Sequence, residues 1–423
     1  MSKKHWVALA GIALLQICLL ISVQTVAGFL STSRIIALAV IESTLILMVI
    51  SAFTGKFASV SITLWLLLLV NFAITPVDFK RSPSGFLTLP PNLDYRLEVI
   101  GDGMPGFTGV QNISTDALGF RTTKKIDYQN KGNAYRVFTI GGSTTEEIYT
   151  DDQKTWSALL EGQLTKNLGR EVEVINTGFA GLRAPHHYKT LEHILRYKPD
   201  AAIFLMGIND WNHHIKAAIR SQEITEDKAA KDAGRPAIQR STQQSIDIFQ
   251  TFDLTKSILW KSIQSVIGKK IVIKNDGSYY YNQNHSVTRQ DLRRLEIDAV
   301  TTEYSDSVAE IMALCKQASI QCLFVNQPNA YQPDISADLT RRLWMTPPNE
   351  SYSVDLADMR RIASTYNKWL LQRAPDNSCD LSTALPATTD HLIDDCHFNP
   401  SGSAIVANQI SQCFIKQLSS KSR

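Results

Sequence analysis

Charge is almost missing from the first 75 positions of this 423-residue chain, whereas residues 76 to 423 carry nearly all of its Lys, Arg, Asp and Glu. That split implies two physical environments. A charge excess is missing too. The formal net charge of +3 leaves no basic stripe, and no run of Lys or Arg alternates with aromatics, which argues against nucleic acid as a partner. No CxxC or Cys/His spacing of the kind that holds zinc occurs, so neither a metal nor another cofactor is expected. Cysteine is scarce and unevenly placed. Cys18 lies in the apolar region, and Cys315, Cys322, Cys379, Cys396 and Cys413 fall in the last part of the chain. These five are either inert buried thiols or the material of one or two bridges in an oxidising compartment, and their odd number leaves at least one unpaired.

What the N-terminal part does have is apolar length. Residues 6–29 contain no Asp, Glu, Lys or Arg and are long enough to cross a bilayer core of about 30 Å as a helix. A second run covers 35–53 and a third 57–74, so residues 1–75 read as a membrane region with three transmembrane helices. A cleaved signal peptide is the competing reading of the first run, but its apolar core is long and two more follow directly. Flanking positive charges tie at three each, Lys3, Lys4 and Lys56 against Arg34, Lys80 and Arg81. The first helix has two lysines before it and one arginine after, which favours a cytoplasmic N-terminus and places the C-terminal part outside the cytoplasm.

Residues 76–134 are punctuated by Pro, Gly and Asn, a pattern of turns that reads as a lead-in from the membrane. From Tyr135 the pattern changes. The run Arg136 to Ile140 ends in Gly141-Gly142-Ser143, and Trp156, Leu159, Leu160 and Leu164 follow at helical spacing. Further strands are expected at 172–175, 201–206 and 321–325, and further helices at 188–197, 298–317, 354–371 and 401–418. Strands alternating with helices predict an α/β domain over 135–423, three layers deep around a parallel sheet. The alternation breaks down at about 215–298, a polar stretch with a possible hairpin near 270–282, which reads as an insertion or cap. In such sheets ligands bind beyond the carboxyl ends of the strands, where Ser143, Gly178 and Asn209 all fall.

Acyl transfer from an ester needs a nucleophile, a base, a group that orients the base, and donors for the developing oxyanion. Ser143 follows two glycines at a strand end, where the backbone can turn sharply and leave the hydroxyl exposed near a helix N-terminus. Alone, the triplet equally describes a helix-capping turn. It is not the G-x-S-x-G elbow, because position 145 is Thr. Late in the chain, Asp394-Asp395-Cys396-His397 sets a carboxylate three residues before an imidazole. At that spacing Asp394 can accept a hydrogen bond from Nδ1 and fix the tautomer whose Nε2 takes the serine proton.

Taken with Asn176-Thr177-Gly178 and Gly207-Ile208-Asn209-Asp210, these segments resemble, in order and in position at strand ends, the four blocks of the SGNH (GDSL-like) hydrolase superfamily. The resemblance covers residues 135–417 without the insertion and implies a flavodoxin-like sheet. It also implies Ser143 as nucleophile, His397 as base and Asp394 as its partner. The oxyanion hole it implies comprises the Ser143 and Gly178 N–H groups and the Asn209 amide. Gly142 departs from the Asp found there in many members, a position outside the triad. Asp395 competes for the triad role, but the Asp-x-x-His spacing selects Asp394. Asp210 reads as a residue that caps or orients the Asn209 loop.

The pairs His186/His187 and His213/His214 point side chains to different helix faces, which disfavours a metal. Arg183, Trp211 and His213, near the oxyanion segments, read as substrate contacts at the cleft rim, with Trp211 able to stack on a sugar face. The expected function is hydrolysis of a small acyl ester, an O-acetyl group on a cell-envelope glycan, by a multi-pass protein of a bacterial inner membrane with its catalytic domain on the extracytoplasmic side. An O-acetyltransferase would use the same triad with a sugar hydroxyl in place of water. A third reading, a non-catalytic glycan-binding protein, needs a decayed site, and the blocks are intact.

Overall fold

A computed structural model describes residues 86–232, 271–275, 292–343 and 353–421. The three expected spans at 6–29, 35–53 and 57–74 lie outside the described residues. Among the described residues no helix is long and apolar enough to cross a membrane.

In chain order the strands are β1 (Asp94–Val99), β2 (Val110–Ser114), β3 (Tyr135–Gly141), β4 (Val172–Asn176), β5 (Ala201–Met206), β6 (Ile271–Asn275), β7 (Leu292–Arg293), β8 (Gln321–Asn326), β9 (Ser353–Val354) and β10 (Ser378–Cys379). The helices are α1 (Ser143–Glu146), α2 (Trp156–Leu168), α3 (Ala184–Ile194), α4 (Ile208–Asp232), α5 (Thr302–Gln317), α6 (Ala337–Thr340), α7 (Leu356–Arg373) and α8 (Pro400–Lys421). The central sheet is wholly parallel with the order β10-β8-β5-β3-β4. Counted along the chain, that is the 2-1-3-4-5 order of flavodoxin-like sheets.

Side chains alternate across each strand, and the sheet therefore builds two cores at once. Phe138, Ile140, Ala202, Phe204, Cys322 and Phe324 face a core completed by α3, α4, α5 and α7. Val137, Ala201, Ile203, Leu205, Leu323 and Val325 face the opposite core, completed by α2 and α8. Burial on both faces explains why these strands read as unbroken apolar runs.

Two regions differ from the sequence reading. Residues 86–134 hold no long element, as their turn residues imply, but they are part of the domain. Phe86, Phe120 and Ile126 enter the core of α3, α5 and α7. β1 pairs antiparallel with β2 and parallel with β6, whose Ile271 lies opposite Tyr95, forming a second three-stranded sheet. The boundary at 215 also moves, because α4 runs unbroken to Asp232. Trp211, Ile215 and Ile219 are buried at a spacing of four, so one apolar face carries an otherwise polar helix. Of the hairpin expected near 270–282, only β6 lies within the described residues, and it pairs with β1.

Four of the five C-terminal cysteines form bridges. Cys315–Cys322 ties the end of α5 to β8, and Cys379–Cys413 ties β10 to α8, while Cys396 is free and buried. The bridges close loops separated by 7 and 34 residues. On loop-closure entropy, Cys413→Ala is expected to cost about 4 kcal/mol and Cys315→Ala about 2 kcal/mol. Denaturant unfolding without reductant measures both, and equal or reversed costs would contradict the loop-length account.

Candidate active site

β3 ends at Gly141, and Ser143 is the first residue of α1, with Gly142 as its N-cap. Glycine is required here by crowding. A Cβ on Gly141 would meet the Thr145 side chain and, at 2.8 Å, the Leu205 carbonyl, and one on Gly142 would strike the Asn209 amide. The missing side chains let Asn209 come against the turn that presents Ser143.

Asp394 and His397 sit in a loop just before α8, not in a helix. The Asp-x-x-His spacing still works, because Asp394 Oδ1 accepts from the backbone N–H groups of Cys396 and His397 at 3.0 and 2.9 Å and folds the segment into a tight turn. Asp394 Oδ2 lies 2.7 Å from His397 Nδ1, and His397 Nε2 lies 2.7 Å from Ser143 Oγ. Serine, imidazole and a fully buried carboxylate thus form one hydrogen-bonded line. Asp395 is elsewhere engaged, accepting from the Tyr331 hydroxyl at 2.7 Å. Burial works against a charged imidazole at His397, but the adjacent Asp394 carboxylate, with a contribution from Cys396, outweighs it and holds the pKa well above 6.5.

The three groups expected to hold an oxyanion differ in what they bond. The first intrahelical bond of α1 comes from Thr145, so the Ser143 N–H belongs to the helix start that lacks an intrahelical acceptor. Asn209 Nδ2 donates one proton to the Leu182 carbonyl at 2.9 Å, leaving the second for a ligand. Gly178 differs: its single N–H proton goes to Asn176 Oδ1 at 2.8 Å. The glycine is explained instead by close approach, since a Cβ there would run into the Thr145 and Glu146 backbone.

The rim residues do not gather as the sequence suggested. Trp211 is fully buried, with its ring 6.2 Å from that of Tyr366, so it presents no face to a sugar. Arg183 caps α3 and is ion-paired with Glu303, while His213 is exposed. Asp210 accepts from the Ala184 N–H at 2.9 Å, tying the start of α3 to that of α4, and burial pushes its pKa up to about 7. The histidine pairs divide. His187 is buried, which pushes its pKa down to about 3, and His214 Nδ1 meets the Tyr366 hydroxyl at 3.0 Å. Asp394, Cys396 and His397 carry ligand-type atoms within 4.8 Å of one another, but the Asp394 and His397 atoms are already bonded within the line to Ser143.

Sequence reasoning passed over Asn176 and Glu146 as site residues. Asn176 Nδ2 donates to the Thr145 carbonyl at 2.6 Å, and Glu146 Oε2 accepts from the Ala180 N–H at 2.6 Å, so both bind the Gly178 loop to α1. Asn176 stood two residues before a glycine already singled out, which was the available signal. A cavity of about 460 Å³ adjoins the Asp394/His397 loop at Thr389, with Met104, Phe107, Arg341 and Arg342 among its lining.

The family model for GDSL-like lipases/acylhydrolases matches residues 139–405. The chain belongs to this family. As a GDSL-like hydrolase it is an ester-hydrolysing enzyme, and the serine-bearing turn at a strand end is the feature the family model begins beside. Among solved structures it is similar to the acetyl xylan esterase AlAXEase, at 13% identity over 66% of this chain and 98% of that one, with a TM-score of 0.35. It is also similar to a catalytic mutant of an acetylxylan esterase from Geobacillus stearothermophilus, at 13% identity over 66% and 94% with a TM-score of 0.36. A GDSL-like lipase from Bacteroides thetaiotaomicron gives 12% identity over 67% and 88% with a TM-score of 0.31. No curated protein matches the chain.

Proposed function

We propose that this GDSL-like hydrolase is a membrane-anchored serine esterase that removes a small acyl group, an O-acetyl ester, from a cell-envelope glycan. The observation that carries the chemistry is the unbroken line Ser143 Oγ, His397 Nε2, His397 Nδ1, Asp394 Oδ2, with each contact at 2.7 Å. His397 takes the Ser143 proton as Oγ attacks the ester carbonyl. The negative charge formed on the carbonyl oxygen is held by the Ser143 N–H and the second Asn209 amide proton. The bond to the sugar oxygen then breaks, and His397 returns its proton to that oxygen. Water, deprotonated by His397, attacks the acyl-enzyme, and acetate leaves as Ser143 regains its proton.

The envelope assignment is supported by the three apolar runs of the first 75 residues, which would tether the domain at a membrane. Its extracytoplasmic side is supported by the two disulfides. The test is to incubate the purified full-length chain with an acetylated oligosaccharide and an unacetylated one, and to follow free acetate together with the mass of both sugars. Acetate appearing in step with deacetylation is the expected result. Acetyl groups arriving on the second sugar without free acetate would replace the hydrolase by a transferase.

A further inference from the structure

α1 is four residues long, too short to hold itself together as a helix. It ends at Glu147, a non-glycine residue in the left-handed region at φ 50° and ψ 50°. What keeps Ser143 in place must therefore come from outside the helix.

Two buried side chains, those of Arg121 and Glu147, supply it. Arg121, only 3% exposed, sits behind the end of α1. Its Nη1 donates to the carbonyls of Glu146 and Glu147 at 2.6 and 2.8 Å, and its Nη2 to the carbonyl of Thr150 at 2.7 Å. A cation at this end complements the carbonyl-rich pole of the helix. Its charge is balanced by Asp152, 2.8 Å away. Arg121 also exchanges both backbone hydrogen bonds with Asn176, each at 3.0 Å, so the guanidinium and the Asn176 amide on the Thr145 carbonyl act as one clamp.

Glu147 reaches the other way. Its Oε2 accepts from the Trp156 N–H at 2.6 Å, and its Oε1 accepts from the Ser403 hydroxyl. Ser403 lies in the first turn of α8, and its N–H donates to the carbonyl of Asn399, two residues after His397. The Glu147 carboxyl group, whose pKa burial pushes up to about 8, thus spans from the end of the nucleophile's helix to the segment that carries the base.

Resting on the reading of Ser143 as nucleophile, we propose that Arg121 and Glu147 are positioning residues, the first fixing the nucleophile's helix from behind and the second setting its separation from His397. Neither touches the reacting atoms. Their effect passes through the distance between Ser143 Oγ and His397 Nε2, where a displacement of about 1 Å costs on the order of 100-fold in rate.

The experiment uses the full-length chain, p-nitrophenyl acetate turnover and covalent titration of active serines with a fluorophosphonate. Arg121→Lys replaces a fork that reaches three carbonyls with a point donor. Glu147→Gln keeps the shape, and Ser403→Ala removes one hydroxyl. In the first two, kcat per titratable serine is expected to fall about 10- to 100-fold with KM unchanged within about twofold. Ser403→Ala should lose several-fold in the same parameter. A purely structural role would lower the number of titratable sites and leave kcat per site alone. Folded variants that keep wild-type kcat per site overturn the proposal, and Ser403→Ala decides it if the Arg121 and Glu147 variants do not fold. Ser143→Ala labelling as fast as wild type would instead overturn the underlying assignment of the nucleophile.

Discussion

Ser143→Ala is expected to lower ester turnover by about 10⁴- to 10⁶-fold while leaving the unfolding temperature nearly unchanged. The hydroxyl makes one side-chain contact, to His397 Nε2 at 2.7 Å, so its loss removes the nucleophile and little packing. His397→Ala should fall about as far, because an unactivated serine hydroxyl is a poor nucleophile. The double variant should fall no further than either single one, since two parts of one machine cannot be lost twice. A residual rate about 10³-fold above that in water is expected from the oxyanion donors, Ser143 N–H and Asn209, which none of these substitutions removes. Turnover of p-nitrophenyl acetate by the three variants checks this. A double variant much slower than both singles would mean that Ser143 and His397 act separately.

Four of the five strands of the central sheet were legible because burial on both faces makes them apolar runs, each ending in Gly or Asn where the chain must turn, whereas the two-residue β10 carries no such run. β3, β4, β5 and β8 were all found this way, with ends within about two residues. β1 and β2 left no such signal, since β1 takes its second partner from β6, far along the chain, and no local pattern records that pairing. The hydrogen-bonded line from Asp394 through His397 to Ser143 was legible because Asp-x-x-His is a local spacing. Trp211 misled for the opposite reason. It stands two residues after Asn209, but on a helix two residues are roughly 200° apart, so Asn209 at the ligand side puts Trp211 into the core. Gly178 was found for a role its N–H does not take in this structure, because a glycine forced by backbone approach and one forced by ligand approach look alike in sequence. Arg121 had no signal at all, being one arginine in a turn-rich stretch whose value lies in three carbonyls from elsewhere.

The pH dependence should expose the Asp394–His397 pair. His397 must be neutral to take the serine proton, and the buried Asp394 carboxylate holds its pKa well above 6.5. Wild-type kcat/KM is therefore expected to rise with pH along a limb centred above 6.5, with little activity at pH 6. Asp394→Asn keeps an oxygen for the Cys396 and His397 N–H groups, but turns an amide donor toward Nδ1. The imidazole then carries its proton on Nε2, pointing at Ser143, and turnover should fall by about 10⁴-fold. With the carboxylate gone, burial still lowers the imidazole pKa and only the smaller influence of Cys396 opposes it, so the residual activity should show its limb at lower pH than wild type. The ratio of wild type to variant is consequently largest at alkaline pH. Stability follows the opposite sense. A histidine whose folded pKa is raised stabilises the fold fully below its unfolded value near 6.5, and that contribution is lost as pH climbs through the raised value. The gap in unfolding temperature between wild type and Asp394→Asn should thus widen as pH falls toward 6. Profiles of kcat/KM and thermal unfolding for both proteins give the answer, and a limb at the same pH in both would mean that Asp394 does not govern the base.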